Sequence, residues 1–303
     1  MRDRLKGPLA ALLTPRRFDG EVDREAFCRA LELLLSHGIR GITIGGTTGE
    51  YMIATAGERE TLLELARQAL RGTGPLVYGA GAAHIAESVR LGRRALAAGA
   101  DVVLLPPPHF FDYAPSDVEA FYREAASQIN GPVLLYNLPA HISPVTTDVA
   151  LRLITSVPNI IGIKDSSGSL ATLQALTESG TGACRLSGHD ATLCQALLDQ
   201  ICDGAISGIA AALPELIVAL FAAHETKDVA QFAFLRERLN EVAGWLETFP
   251  GPWGLKIIAH DRGLCEAWFP LPLSGARKSQ IAAFQSWLKD WWARCDLGPY
   301  RLS

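Results

Sequence analysis

One pattern constrains this chain more than any other. A short apolar run, followed by a segment with apolar residues at helical spacing, recurs along most of its length. Gly7–Thr14 is apolar enough for a buried strand, and Arg24–Ser36 follows with Ala26, Phe27, Ala30, Leu31, Leu33 and Leu34 on one helical face. The couplet returns as Gly41–Ile44 with Glu58–Leu70, Pro75–Gly79 with Ile85–Ala98, and Asp101–Leu105 with Asp117–Ile129. It returns again as Val133–Tyr136 with Thr147–Ser156, where Thr146 or Thr147 caps the helix ahead of Asp148, and as Ile160–Lys164 with Leu170–Glu178. Arg185–Ser187 with Ala191–Ile201 and Ala205–Ile209 with Glu215–His224 complete the series. Strand-then-helix units at roughly 20–35 residue spacing predict an α/β chain closed into a (β/α)8 TIM barrel. An open doubly wound sheet is the competitor, but it lacks its G-x-G-x-x-G fingerprint, and Gly79-Ala80-Gly81 reads as a tight turn.

After about residue 226 the strands stop, and Val229–Glu247, Trp253–Arg262 and Arg277–Trp292 read as helices. The expected division is a catalytic barrel over 1–226 and a C-terminal helical region over 227–303 packed on it. All six tryptophans (Trp245, Trp253, Trp268, Trp287, Trp291 and Trp292) fall in this tail. They predict a helical cap packed on the barrel, with a subunit contact as the sharper alternative.

Composition narrows the function. A chain of 303 residues, 49% hydrophobic and 20% charged, has an ordinary globular core and no signature of disorder. A net charge of -4 gives no reason to expect a nucleic acid or a membrane surface as partner. The start, MRDRLKGPLAALLTP, stops at Pro15-Arg16-Arg17 without a small-residue cleavage site and reads as a first strand, not a secretory signal. No stretch of about 18 apolar residues is present to span a bilayer. Cys28, Cys184, Cys194, Cys202, Cys265 and Cys295 form no C-x-x-C pair, and no histidine cluster has metal spacing. Free thiols in a reducing cytoplasm, without a metal, are the expectation.

In such barrels chemistry sits at the C-terminal ends of the strands. The sixth strand leads into Ile160–Gly168, read as IIGIKDSSG. Alternation puts Ile161 and Ile163 on one face and Gly162 and Lys164 on the other. A lysine held by apolar walls has its ammonium form disfavoured, which leaves a free amine as a nucleophile. The plain alternative is a lysine that buries its stem and keeps its ammonium in solvent. The fifth strand ends in Tyr136-Asn137-Leu138-Pro139, and Leu134 and Tyr136 share the inward parity. Neighbouring strands would bring the Tyr136 phenol beside Lys164 as a proton relay for carbinolamine formation and dehydration. The second strand ends in Gly45-Gly46-Thr47-Thr48-Gly49-Glu50, where successive amides and two hydroxyls suffice to hold a carboxylate. Gly188-His189-Asp190 and Ser207-Gly208 end the last two strands and can contact the distal part of a substrate. As a metal pair His189 and Asp190 lack a third ligand, and a solvated surface pair is the plain reading.

GGTTGE at 45–50, YNLP at 136–139 and GIKDSSG at 162–168 together resemble the dihydrodipicolinate synthase / N-acetylneuraminate lyase family. The likeness runs over the whole barrel and is weaker in the tail. It implies a class I aldolase, a carbon–carbon or carbon–oxygen lyase in which Lys164 forms a Schiff base with pyruvate or a longer 2-keto acid. Under it Tyr136 relays protons, Thr48 joins that relay, and Thr47 and Thr48 hold the carboxylate. Gly188 and Ile206 line the pyruvate pocket through their backbones. No metal or organic cofactor is implied, and members are commonly homotetramers built as dimers of dimers. The synthases of the family carry an arginine two residues after the proline of YN-x-P, where this chain has His141. They also place a tyrosine, donated by a neighbouring subunit, just after the fourth strand, where this chain offers Phe111 without a hydroxyl or Tyr113.

Three functions follow as expectations. The first is a Schiff-base lyase or aldolase for a 2-keto acid such as a 2-keto-3-deoxy sugar acid, with His141, His189 and Asp190 binding hydroxyls or a distal carboxylate, an aldehyde as partner product, and water elimination as a variant. The second is dihydrodipicolinate synthase with an altered carboxylate site. The third is a non-catalytic keto-acid-binding protein, for which neither the amine nor the phenol would be needed.

Overall fold

The computed structural model describes residues 1–295. Among these, eight strands close into one parallel barrel in sequence order. They are β1 (Gly7–Ala11), β2 (Gly41–Ile44), β3 (Leu76–Gly79), β4 (Val102–Leu105), β5 (Val133–Asn137), β6 (Ile160–Asp165), β7 (Cys184–Ser187) and β8 (Gly204–Ser207). The surrounding helices are α1 (Arg24–Ser36), α2 (Ala56–Leu70), α3 (Ile85–Ala97), α4 (Pro115–Gln128), α5 (Thr147–Ser156), α6 (Ala171–Glu178), α7 (Asp190–Leu198) and α8 (Pro214–Glu225). Beyond the barrel come α9 (Val229–Leu246), α10 (Trp253–Asp261) and α11 (Gly275–Arg294). Among the described residues no helix is long and apolar enough to cross a membrane.

Strands covered on both faces read as continuous apolar runs because neither face meets water. Leu9, Ala11, Val77, Val102, Leu104, Leu134, Tyr136, Cys184, Leu186 and Ile206 form the inner cluster. Ala10, Ile42, Ile44, Val103, Leu105, Val133, Leu135 and Ile163 face the helices. Helix starts are fixed by short polar side chains: Asp23 accepts from Ala26 N–H, Thr146 from Val149 N–H, and Thr55 with Glu58 closes a capping box on α2.

The outer core continues without a break into the C-terminal helices. Trp291 is fully buried, Trp253 is buried against Phe269, and Trp245, Trp287 and Trp292 are half-buried against the same core. The six cysteines are free, and Cys184 lies on β7.

Three differences from the sequence reading have physical causes. The first strand stops at Ala11, not Thr14, because the chain turns away to support the turn after β2, where Thr14 Oγ1 donates to Gly49 O at 2.8 Å. The eighth strand ends at Ser207, because Ile209–Ala211 wind into a 3₁₀ turn. The third concerns Ile161, which strict alternation places outward with Ile163. A β-bulge opposite Val133 and Leu134 pairs Val133 with Ile160 and Leu134 with Gly162. Ile161 is the extra residue, and it packs against the inner cluster. Beyond the bulge the register sets Tyr136 directly opposite Lys164.

Candidate active site

Lys164 ends up inside the barrel mouth with only 4% of its surface exposed. It pairs with Tyr136 on β5 and Leu186 on β7, so its stem has apolar walls on both sides. Its Nζ donates to the Tyr136 hydroxyl at 3.4 Å and lies 4.5 Å from the centre of that ring. The Tyr136 hydroxyl in turn lies 3.3 Å from Thr47 Oγ1. Lysine, phenol and threonine therefore form one chain of exchangeable protons reaching from the amine to the turn after β2.

Helix α4 braces the backbone of the strand that carries the phenol. Fully buried Tyr122 donates its hydroxyl to Leu105 O at 2.7 Å and accepts the Tyr136 N–H at 3.3 Å. Residues Asn137 and Asp165, next along β5 and β6, lock the two strand ends: Asn137 Nδ2 donates to Asp165 Oδ1 at 3.2 Å, and Asn137 Oδ1 accepts from Val145 N–H at 3.0 Å. Burial pushes the Asp165 carboxyl above the usual carboxylate range, although hydrogen bonds from Ser167 and Asn137 pull it down.

The Gly45–Glu50 turn is held by Gly49 N–H to Gly46 O at 3.1 Å and Glu50 N–H to Thr47 O at 2.9 Å. Gly45 has a φ of +65°, and a methyl group there would press 2.9 Å from Gly79 O, so only glycine fits. The two threonines differ in what their hydroxyls meet. The bond to the phenol falls to Thr47, whereas the family likeness gave the relay to Thr48. Thr48 Oγ1 instead points toward Gly208, 3.4 Å from where a methyl group on that glycine would sit. The turn folds back on itself, so consecutive hydroxyls face different strand ends.

Gly188 stands against the lysine: a methyl group on it would lie 2.6 Å from Lys164 Cε and 2.9 Å from Cγ. Its amide donates to Asp165 O at 2.7 Å and its carbonyl accepts from Ser166 Oγ at 2.9 Å. Ile206 is fully buried on the inner face of β8. Gly188 therefore borders the lysine stem.

His189 and Asp190 are half-buried, not a solvated surface pair. The His189 ring lies against the β6 loop, with Nε2 3.5 Å from a methyl group placed on Gly168, and its Nδ1 is buried without a hydrogen-bond partner. Asp190 Oδ2 accepts the Ile209 N–H at 3.1 Å, which ties the β7 and β8 loops together. Burial raises the Asp190 carboxyl, against the Ser207 hydroxyl, the Ile209 N–H and the charge of Lys164. His141 is exposed on the loop after β5. Phe110 and Phe111 are exposed at 87% and 64%, while Tyr113 is half-buried with its N–H on Ser143 Oγ at 2.8 Å.

Tyr51 and Tyr122 are site neighbours that the sequence reading passed over. Tyr51 packs its ring edge-on to His109, and burial beside the Tyr136 hydroxyl pushes its phenol up to about 12. Its position directly after GGTTGE was the available signal, whereas Tyr122 looks like any core aromatic of an amphipathic helix. Among the described residues no three His, Cys, Asp or Glu side chains gather as metal ligands would.

Comparison with known proteins bears on this geometry. The model of the dihydrodipicolinate synthetase family matches residues 4–290. The chain is 31% identical over 274 residues to a 4-hydroxy-tetrahydrodipicolinate synthase of Bartonella bacilliformis, covering 89% of this chain and 92% of the relative. It is 33% identical over 272 residues to the synthase of Rhodospirillum centenum, covering 88% and 92%. Its fold superposes with a TM-score of 0.87 on the dihydrodipicolinate synthase of Acinetobacter baumannii solved with pyruvate, at 28% identity over 95% of this chain and 99% of that one.

Proposed function

The chain belongs to the dihydrodipicolinate synthetase family, and from that premise we propose that Lys164 captures the keto carbon of pyruvate, or of a longer 2-keto acid, as a Schiff base. The observation that carries this reading is a 4%-exposed amine within 3.4 Å of a phenol that is itself 3.3 Å from Thr47. The neutral amine adds to C2, the oxyanion takes a proton from the Tyr136 hydroxyl, and the phenolate recovers one from the added nitrogen, which gives a neutral carbinolamine. The Tyr136 hydroxyl then protonates the leaving hydroxyl, which departs as water and leaves the protonated imine beside the phenolate. In that imine the nitrogen acts as the electron sink: the Tyr136 phenolate takes the proton of the C4 hydroxyl of a hydroxylated keto acid, the C3–C4 bond breaks, and an aldehyde leaves with an enamine remaining on Lys164. Protonation at C3 and addition of water then return pyruvate and the free lysine. The same steps reversed condense pyruvate with an aldehyde.

Thr47 and Thr48, with the amides of their turn, are read as the carboxylate clasp, and Gly188 and Ile206 as the floor beside the keto group. His141, His189 and Asp190 are read as the groups that choose what extends beyond C3. With His141 where the synthases carry an arginine, a hydroxylated 2-keto acid such as a 2-keto-3-deoxy sugar acid fits better than a partner with a second carboxylate there. The names of the relatives favour a second reading, 4-hydroxy-tetrahydrodipicolinate synthase with an altered carboxylate site. Exposed Phe110 and Phe111, joined through the Tyr51–His109 contact to exposed Met52 and Ile53, support a homo-oligomer of two or four copies that covers this apolar stretch.

Borohydride trapping with pyruvate, read by intact mass and peptide mapping, tests the central step. A reduced pyruvyl adduct on Lys164, absent in Lys164→Ala, is expected. Adduct formation that survives Lys164→Ala would remove the proposal, and trapping of longer keto acids but not pyruvate would move the substrate class.

A further inference from the structure

A second lysine is buried near the site and plays no part in the steps above. Lys256 lies on α10 with 4% of its surface exposed, and its Nζ meets Glu50 Oε2 at 2.5 Å. Glu50 is the last residue of the Gly45–Glu50 turn, is itself 5% exposed, and holds a left-handed φ of 52°. Left-handed backbone is disfavoured for a residue with a Cβ, and here the residue that adopts it has its side chain fixed by Lys256. Lys256 does not rest on Glu50 alone: Nζ also donates to Trp268 O at 3.1 Å and sits 5.1 Å from that indole, which Arg16 covers at 5.6 Å. The neighbouring Leu255 reaches the other side of the site, where its Cδ1 lies 3.5 Å from a methyl group placed on Gly208, beside Thr48.

Helix α10 thus holds Glu50, the last residue of the turn, by charge and sets Leu255 against Gly208, the glycine that the Thr48 hydroxyl also approaches. A buried ion pair is a poor device for stability alone, since apolar residues of the same volume commonly do as well or better. Burial also lowers the affinity of Lys256 for its proton, and the Glu50 carboxylate opposes that effect. We propose that the Glu50–Lys256 pair is a positioning device: it sets the turn so that Thr47 and Thr48 meet the carboxylate of the 2-keto acid. The proposal rests on the reading of that turn as the carboxylate clasp. The C-terminal helices then belong to the substrate site, through one lysine, and do more than cap the barrel.

The test compares pyruvate with its uncharged methyl ester as borohydride-trapped ligands. Both need Lys164 and Tyr136, but only the acid needs the clasp. Half-maximal trapping concentrations are measured for the wild type, Glu50→Gln, Lys256→Met and the double variant, with near-ultraviolet circular dichroism as the check on folding. The preference for pyruvate over the ester should fall by about tenfold in each single variant and by no more than that in the double, as for two groups acting as one unit. The double variant leaves no buried charge unpaired, so it decides the matter even where a single variant does not fold. An unchanged preference in the folded double variant overturns the proposal, as does an equal loss for acid and ester. A double variant that does not fold makes the pair a folding element and overturns it too. A wild type that traps neither ligand removes the function reading first, and the clasp with it.

Discussion

Gly188 and Lys164 occupy complementary space: the lysine stem passes where a side chain on Gly188 would be. A methyl group there would lie 2.6 Å from Lys164 Cε and would also collide with Ser166 Oγ. Gly188→Ala should therefore displace the amine from Tyr136 while leaving the barrel folded. Overpacking of this kind costs about 1–3 kcal/mol of stability. Pyruvate capture should drop by at least about tenfold, because reacting atoms must be held within a fraction of an ångström. Trapping kinetics beside a thermal melt check both halves, and wild-type capture in the variant would show that Lys164 has room to spare.

Tyr136→Phe keeps the ring that packs over Lys164 Nζ and removes only the hydroxyl. Turnover should slow by roughly 10²–10⁴-fold, the range for losing a positioned acid–base group. The slow adduct should still map to Lys164. An unchanged rate would reduce Tyr136 to a core aromatic.

The two threonines separate in the same way. Thr47 bonds to the Tyr136 hydroxyl at 3.3 Å and Thr48 does not, so Thr47→Val should slow the protonation steps more than Thr48→Val. A difference of about tenfold or more in the rate of trapping at saturating pyruvate is expected, in line with the loss of one hydrogen bond in a proton relay. Equal rates, or a slower Thr48→Val, would return the relay to Thr48.

Most of this architecture is legible in the sequence, and the exceptions share a cause. Apolar runs and helical spacing report burial directly, so the eight-unit barrel, Lys164 at its mouth and Tyr136 beside it follow from local pattern. Adjacency of β5 and β6 needs only chain order. What escapes is decided by backbone detail or by distant partners. Thr47 and Thr48 are alike in sequence, and only the course of the turn sends one hydroxyl to Tyr136 and the other toward Gly208. Ile161 is turned inward by a bulge that no alternation rule contains. The Glu50–Lys256 pair joins residues more than two hundred positions apart, and Lys256 reads locally as one charge in an apolar helix.

His141 is exposed on the loop that Asn137 holds through Val145. His141→Ala should leave pyruvate capture intact and change which aldehydes or longer keto acids are turned over. A panel of 2-keto acids measured in both proteins checks this. Loss of pyruvate capture in the variant would mean that the loop reaches the amine after all.

Asp190 gives a pH dependence whose sign is fixed. Burial penalises its charged form, so the folded protein keeps the proton above the ordinary value of 3.8, despite the pull of the Ser207 hydroxyl, the Ile209 N–H, Lys164 and His189. From about pH 4 up to that raised value, the folded state holds a proton that the unfolded chain has released, and stability falls as pH rises through the window. Asp190→Asn keeps an oxygen to accept the Ile209 N–H but cannot titrate. The stability of the wild type relative to Asp190→Asn should therefore be greatest at low pH, decline through this window and level off above it. Asp165 carries a shift of the same sign but is present in both proteins, so it cancels from the difference. Melting temperatures of the two proteins from pH 3 to 7 give the curve directly. A difference that instead grows with pH would mean that the hydrogen bonds and Lys164 outweigh burial, making Asp190 a stabilised carboxylate and a base within reach of the amine.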